Sequence, residues 1–185
     1  NLGLGSYKLY VIAYDKAGNN RKSNIVDFKI SVQFKEIEVG NFHTLALDKD
    51  NNLWAWGGNG TGQLGDGTTT NRTSPTKIET GITFVQLSAG SSHSAGIDNE
   101  GKLWTWGWNG EGQLGDETTN DKMIPQKIMK DKTFKKVIAS DCSTLAIDIN
   151  DEIWRWGEFY TYNAGWKSFS ESPQKLDFKI EYSLI

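Results

Sequence analysis

The sequence predicts an all-β chain: about three propeller blades preceded by a β-hairpin. Three observations carry this. A 50-residue period runs through most of the 185 residues. Within each period, short apolar–polar runs are separated by turn residues, with no helical stretch. The composition sets 20 Gly and eight Trp against three Pro, which suits short strands, tight turns and large buried side chains.

Residues 1–32 stand outside the period. Tyr7–Tyr14 reads as a strand, Asp15-Lys16-Ala17-Gly18-Asn19 as a turn and Asn24–Val32 as a second strand. The pattern Gly5-x-Tyr7-x-Leu9-x-Val11-x-Ala13-x-Asp15-x-Ala17-Gly18-Asn19 resembles the last two strands of bacterial immunoglobulin-like domains. That resemblance implies a sandwich corner anchored by a tyrosine hydroxyl, with Tyr7 as the candidate. A lone hairpin is marginal in water. The expectation is that it completes a sandwich lying before Asn1 or packs on the first blade.

The repeats follow at 33–83, 84–133 and 134–185. Phe34, Phe84 and Phe134 share the period, as do Asp48, Asp98 and Asp148 and the Trp-x-Trp-Gly units at Trp54–Gly57, Trp104–Gly107 and Trp154–Gly157. Laid over each other without a gap, 34–83 and 84–133 agree at 21 of 50 positions. Residues 35–39 and 43–48 read as strands. The turn Lys49-Asp50-Asn51-Asn52 leads into Leu53-Trp54-Ala55-Trp56, and Asn99-Glu100-Gly101-Lys102 is its counterpart. A long Gly/Asn/Thr loop comes next. Pro75–Ile78 and Pro125–Ile128 close the unit, the proline fitting a first-residue or edge position. Three or four strands per ~50 residues is the size of one propeller blade. The paired indoles are expected to fill the seams between neighbouring blades. Three blades cannot close a ring, so further repeats lie outside this chain or the end blades expose apolar faces.

Trp54-x-Trp56-Gly57-x-Asn59-x-x-Gly62-Gln63-Leu64-Gly65 and its twin carrying Trp104, Trp106, Gly107, Gly112, Gln113, Leu114 and Gly115 resemble the signature of the RCC1 (regulator of chromosome condensation) repeat family. So do Gly40-x-x-His43-Thr44 and Gly90-x-x-His93-Ser94. The resemblance covers about 34–178 and implies a propeller of four-stranded blades. The third copy keeps Trp154, Trp156 and Gly157 but has Ser140 and Ser143 for the Gly and His, and it lacks Gly-Gln-Leu-Gly. It reads as a divergent or terminal blade.

Little in the chain suggests catalysis. His43 and His93, the only histidines, recur once per blade without Cys or Glu at ligand spacing, so they read as buried packing groups rather than metal ligands. Asp48-x-Asp50 does not continue into a calcium-loop series and reads as turn stabilisation. Gly60-x-Gly62-x-x-Gly65 opens no helix and belongs to the repeat. Cys142, the single cysteine, allows no intrachain disulfide; no Cys-His set can be defended, and beside the inner-strand motif it reads as packed rather than reactive. No cofactor or metal is expected.

Net charge is −3, from 20 basic and 23 acidic residues, which argues against nucleic acid as the main partner. Lys122, Lys127, Lys130, Lys132, Lys135 and Lys136 form a local basic stretch that reads as a solvated loop. No apolar run approaches the ~20 residues of a membrane span. The candidate recognition surface is aromatic. Phe159, Tyr160, Tyr162, Trp166 and Phe169 sit in the loop replacing Gly-Gln-Leu-Gly, with Trp108, Asn109 and Glu111 in the matching loop of the second repeat. The expected function is a non-enzymatic scaffold binding a protein or glycan through blade loops, beside neighbouring repeats or domains of a longer exported bacterial protein. The immunoglobulin-like leader places it at the cell surface or outside the cell. Two alternatives follow from the family resemblance: a guanine nucleotide exchange regulator, and a propeller-type enzyme inhibitor.

Overall fold

A computed structural model describes residues 5–9, 12–14, 20–22, 26–30, 32–160 and 167–176, with backbone alone before residue 32 and at Tyr160 and Lys167. The chain separates into two compact units, Asn1–Gln33 and Phe34–Ile185. In the first, β1 (Gly5–Leu9) pairs antiparallel with β4 (Val26–Ile30), and β2 (Ile12–Tyr14) with β3 (Asn20–Lys22). The first expected strand thus appears as two shorter segments, β1 and β2, while of the expected Asn24–Val32 strand β4 is described and β3 falls before it. Tyr14 opposes Asn20 across the expected turn. Residues 15–19, and the Tyr7 side chain with its proposed corner bond, lie outside what is described.

The second unit contains three four-stranded antiparallel sheets. Blade 1 comprises β5 (Phe34–Val39), β6 (His43–Asp48), β7 (Leu53–Gly57) and β8 (Arg72–Lys77). Blade 2 comprises β9 (Phe84–Ala89), β10 (His93–Asp98), β11 (Leu103–Gly107) and β12 (Lys122–Ile128). Blade 3 comprises β13 (Phe134–Ala139), β14 (Ser143–Asp148), β15 (Ile153–Tyr160) and β16 (Lys167–Lys175). Strands β5, β9 and β13 approach one another and are innermost. Pro75 and Pro125 therefore sit within the outermost strands β8 and β12 rather than at their first residues. An edge tolerates them because proline has no N–H to give a further strand.

Both faces of the middle blade are covered, so its strands carry apolar residues on both sides. The first seam buries Leu45, Leu47, Leu53, Ala55 and Leu64 of blade 1 against Phe84, Leu87 and Trp106 of blade 2. The second buries Ala95, Ile97 and Leu103 against Phe134, Val137, Ala139 and Trp156. Burying an indole removes a large apolar area from water and stabilises each seam by roughly 3 kcal/mol. Each seam buries one indole completely and packs the second of the pair, Trp104 or Trp154, partly buried against the same core. Trp106 and Trp156 are fully buried. Trp54, Trp104 and Trp154 are half-buried, and their indole N–H groups donate to Asp48 (2.9 Å), Asp98 (2.8 Å) and Asp148 (3.3 Å). The physical reason is the pole of the side chain: the first indole lies beside the hairpin turn, where its donor meets a carboxylate.

Those carboxylates also organise the turn. Asp48 Oδ1 accepts from the Asp50 and Asn52 amides, both at 2.9 Å, and the pattern repeats at Asp98 and Asp148. The Asp-x-Asp segment thus stabilises a turn through its first carboxylate.

Candidate functional site

Side chains reach across each seam to form a recurring clamp. His43 opens β6, and its buried Nε2 lies 2.8 Å from the Ser94 hydroxyl of blade 2. That hydroxyl donates to the Gln63 carbonyl at 2.8 Å, and Trp106 Nε1 donates to the same carbonyl at 2.9 Å. Because the Ser94 proton is committed to Gln63, the imidazole must be the donor to Ser94. Fifty residues later His93 meets Thr144 at 3.0 Å, and Thr144 donates to the Gln113 carbonyl at 2.8 Å. Burial lowers the His43 pKa to about 4. Burial, with a contribution from the His43 charge, lowers that of His93 to about 3. Both rings are therefore neutral near pH 7. Among the described residues no group of three or more His, Cys, Asp or Glu side chains could hold a metal ion.

The Gly-Gln-Leu-Gly loops are the other half of the clamp. Gly65 and Gly115 hold φ of +77° and +70°, and a Cβ there would meet the indole nitrogens of Trp106 and Trp156 at 2.8 and 2.7 Å. Only glycine supplies both that backbone turn and that clearance. Each loop is knotted by an asparagine. Asn109 Nδ2 donates to Asp116 (3.0 Å) and to the carbonyls of Thr118 (2.8 Å) and Asn120 (3.2 Å), while its Oδ1 accepts from the Leu114 amide at 2.9 Å. Asn59 repeats this in the first loop. Ion pairs Arg72–Asp66 and Lys122–Asp116 flank the knots.

These bonds sort the residues of the expected recognition surface. Asn109 is fully buried and is an internal strut, not a ligand-facing group. This is a correction with a plain cause, since its amide and carbonyl are both bonded within its own loop. Trp108 and Glu111 are half-buried on that loop. The loop meets blade 3, where Glu117 N donates to Glu171 O at 3.0 Å and Gly112 abuts Ser170 and Glu171. It is thereby carried beside β16, which bears the exposed Phe169. Phe159, Tyr160 and Phe169 are not in a loop. Strands β15 and β16 continue past Gly157, pairing Glu158 with Phe169 and Tyr160 with Lys167. Aromatic residues favour a pleated strand, and the glycines that turn the chain in the other copies are absent here. The Arg155 guanidinium covers the Phe159 ring at 3.8 Å. Tyr162 and Trp166 lie outside the described residues.

Much of the basic stretch is engaged. Lys132 pairs with Asp148 and Glu152 at 3.3 and 3.2 Å and lies over the Trp154 ring. Lys122 pairs with Asp116, Lys127 lies over Trp104, and Lys135 pairs with Asp151. A cleft of about 470 Å³ opens at the rim between blades 1 and 2, lined by Asp66, Arg72, Ile78, Trp104, Ile124 and Pro125 among others. Neither this cleft nor the asparagine knots were read from the sequence. The 50-residue recurrence of Asn59 and Asn109, each seven residues before an aspartate, was the available signal for the knots.

Sequence signatures described as the regulator of chromosome condensation (RCC1) repeat match residues 50–97 and 100–147, and a second of the same description matches 34–63 and 84–113. The chain belongs to the RCC1 repeat family. Its three sheets are RCC1-type propeller blades. The fold is similar to the crystal structure of human WBSCR16, with TM-score 0.68 and 19% identity over 80% of this chain and 40% of that one. It is likewise similar to Prp20p from Saccharomyces cerevisiae, with TM-score 0.68 and 20% identity over 91% and 48%. A structure of Kap60 bound to yeast RCC1 (Prp20) matches with TM-score 0.64 and 18% identity over 82% and 40%. This RCC1-type chain thus spans less than half the length of these structures.

Proposed function

We propose that this RCC1-type chain is a non-catalytic recognition module that holds a protein partner at the rim of its blades. One observation carries the reading. The loop of blade 2 is knotted by Asn109 and fastened to β16, so Trp108 and Glu111 stand on a rigid frame beside Phe169. A surface ordered before binding loses little conformational entropy on association, and aromatic groups on such a frame supply large contact area. The yeast Prp20 structures, described with Kap60 and with binding to Gsp1p and histones, support a protein as the partner class. The strand–turn–strand leader supports carriage beside an immunoglobulin-like domain on an exported bacterial protein. Crosslinking capture with wild type, Trp108→Ala and Phe169→Ala tests the reading. Loss of the captured partner in either variant is expected. Equal capture by all three removes this surface from the function.

A further inference from the structure

Blades 1 and 2 repeat one small construction at the start of their long loops, with one difference. In each, the residue after the Trp-x-Trp-Gly unit donates its amide to the loop between the first two strands. Gly58 donates to Phe42 O at 2.7 Å and Trp108 to Ser92 O at 2.9 Å. Nearby lies the glutamine of the Gly-Gln-Leu-Gly motif. Gln63 Oε1 accepts from the Thr61 amide at 3.0 Å and the Thr61 hydroxyl at 2.9 Å. Gln113 Oε1 accepts from the Glu111 amide at 3.0 Å. Those backbone donors need an oxygen, so each carboxamide is fixed with its Nε2 turned the other way. Gln113 Nε2 is buried without an acceptor, and Gln63 Nε2 donates to none of the described residues.

In blade 2 the space beside that carboxamide is filled. Trp108 stands where blade 1 has Gly58, and a Cβ on Gly58 would sit 3.7 Å from Gln63 Nε2. The Trp108 indole folds back on its own loop, where a Cβ on Gly110 would meet Trp108 Nε1 at 2.9 Å. Gln113 is correspondingly buried in full. In blade 1 the same space is open. Gly60, the counterpart of Gly110, would have nothing within 4 Å of a Cβ. Gln63 is buried except for 4% of its surface. Beside it Phe42 is 63% exposed, its Cβ lying 3.4 Å from where a Cβ on Gly58 would stand. Blade 1 therefore carries a slot of the size the repeat gives to an indole, walled by Phe42, with an unpartnered and largely buried donor aimed into it.

We propose that this slot takes an aromatic side chain of a protein partner, whose adjoining main-chain carbonyl accepts from Gln63 Nε2. Trp108 shows the group that fits, because blade 2 fills the equivalent position with an indole of its own. Phe42, Gly58, Gly60 and Thr61 around the slot carry no charge. A neutral carbonyl therefore matches the donor better than a carboxylate. A buried donor without an acceptor is costly, and a carbonyl brought by the partner removes that cost. A ring placed against Phe42 adds an aromatic contact. The slot extends the protein-partner reading, on which it rests, by a contact one blade away from Trp108.

The probe is N-acetyl-tryptophanamide, which carries an indole and neutral amide carbonyls. It is titrated into the isotope-labelled full chain and followed by NMR, the Gln63 side-chain amide being identified by its loss in Gln63→Glu. Saturable shifts of that amide in the millimolar range are expected, while the Gln113 amide, covered by Trp108, stays unmoved. Gly58→Trp fills the slot from within and is expected to abolish the Gln63 response. Trp108→Gly opens the second slot and is expected to make the Gln113 amide respond. Phe42→Ala is expected to weaken binding about fivefold. An unmoved Gln63 amide overturns the proposal, and so do equal shifts at Gln63 and Gln113 in the wild type. A Gly58→Trp chain that melts cooperatively and still responds overturns it as well. N-acetylglucosamine is the competing probe, and larger Gln63 shifts with the sugar assign the slot to a glycan instead. Should Gly58→Trp fail to fold, Phe42→Ala takes its place and must weaken the response. A silent Gln63 amide beside partner capture that still depends on Trp108 and Phe169 removes the slot alone. Capture indifferent to Trp108 and Phe169 removes the rim surface instead.

Discussion

His43 of the first blade and Ser94 of the second lie 2.8 Å apart through buried atoms, and the Ser94 hydroxyl passes the contact to the Gln63 carbonyl. One hydroxyl thereby satisfies two buried polar groups from the neighbouring blade. Ser94→Ala leaves His43 Nε2 unpaired and the Gln63 carbonyl with the Trp106 indole as its remaining donor, and is expected to destabilise the chain by about 1–3 kcal/mol in urea unfolding. Thr44→Ala, at the equivalent position of the open face, is expected to cost less than about 0.5 kcal/mol. Equal losses would show that the clamp is not what Ser94 supports.

Acid should loosen the same seams. The unfolded imidazoles protonate near 6.5, while burial holds His43 to about 4 and His93 to about 3 in the fold. Between these limits the unfolded chain binds more protons, so stability present above pH 6.5 is lost as pH falls toward 4. The slope approaches 1.4 kcal/mol per pH unit for each histidine, to order of magnitude. At lower pH the aspartates add to the loss with the same sign. Burial alone would raise Asp48 and Asp148, but hydrogen bonds from Trp54, Asn52, Glu152, Trp154 and others outweigh it and hold both below the usual value. Urea midpoints from pH 7 to 4 check this, and His93→Gln should flatten the upper part of the curve.

Trp106 and Trp56 occupy equivalent positions with unequal burial. Trp106→Ala is expected to cost about 3–5 kcal/mol, and Trp56→Ala substantially less. Guanidinium unfolding of both variants measures the difference, and similar costs would mean that Trp56 is covered.

Asn109→Ala removes five bonds from one loop without touching solvent-facing atoms. Its expected signature is a loss of roughly 2 kcal/mol together with rapid proteolysis within 108–121. A variant as protease-resistant as wild type would place the loop's order elsewhere, in the Lys122–Asp116 pair or in the contact with Glu171.

Much of this was legible because a tandem repeat writes each structural demand more than once. The period, the hairpin turns at Asp48 and Asp98, the burial of both histidines and the all-β blade follow from residues 34–133 read against themselves. The aromatic stretch was misplaced for a local reason. Phe159 and Tyr160 stand where the other copies have a loop, and strand propensity together with pairing to β16 decided the matter. Asn109 was misplaced because an Asn in a Gly-rich loop reads as exposed, and only the folded loop brings the Leu114 amide and the Thr118 and Asn120 carbonyls around it.

The sequence by itself determined the blade: its strand count, its turns, and the side chains available to be buried. The tertiary structure alone decided which side of each blade those side chains serve. A strand sends alternate residues to opposite faces, but period and composition are the same whether a face meets a neighbour or water. The difference in burial between Trp106 and Trp56 is therefore a property of the stacked sheets.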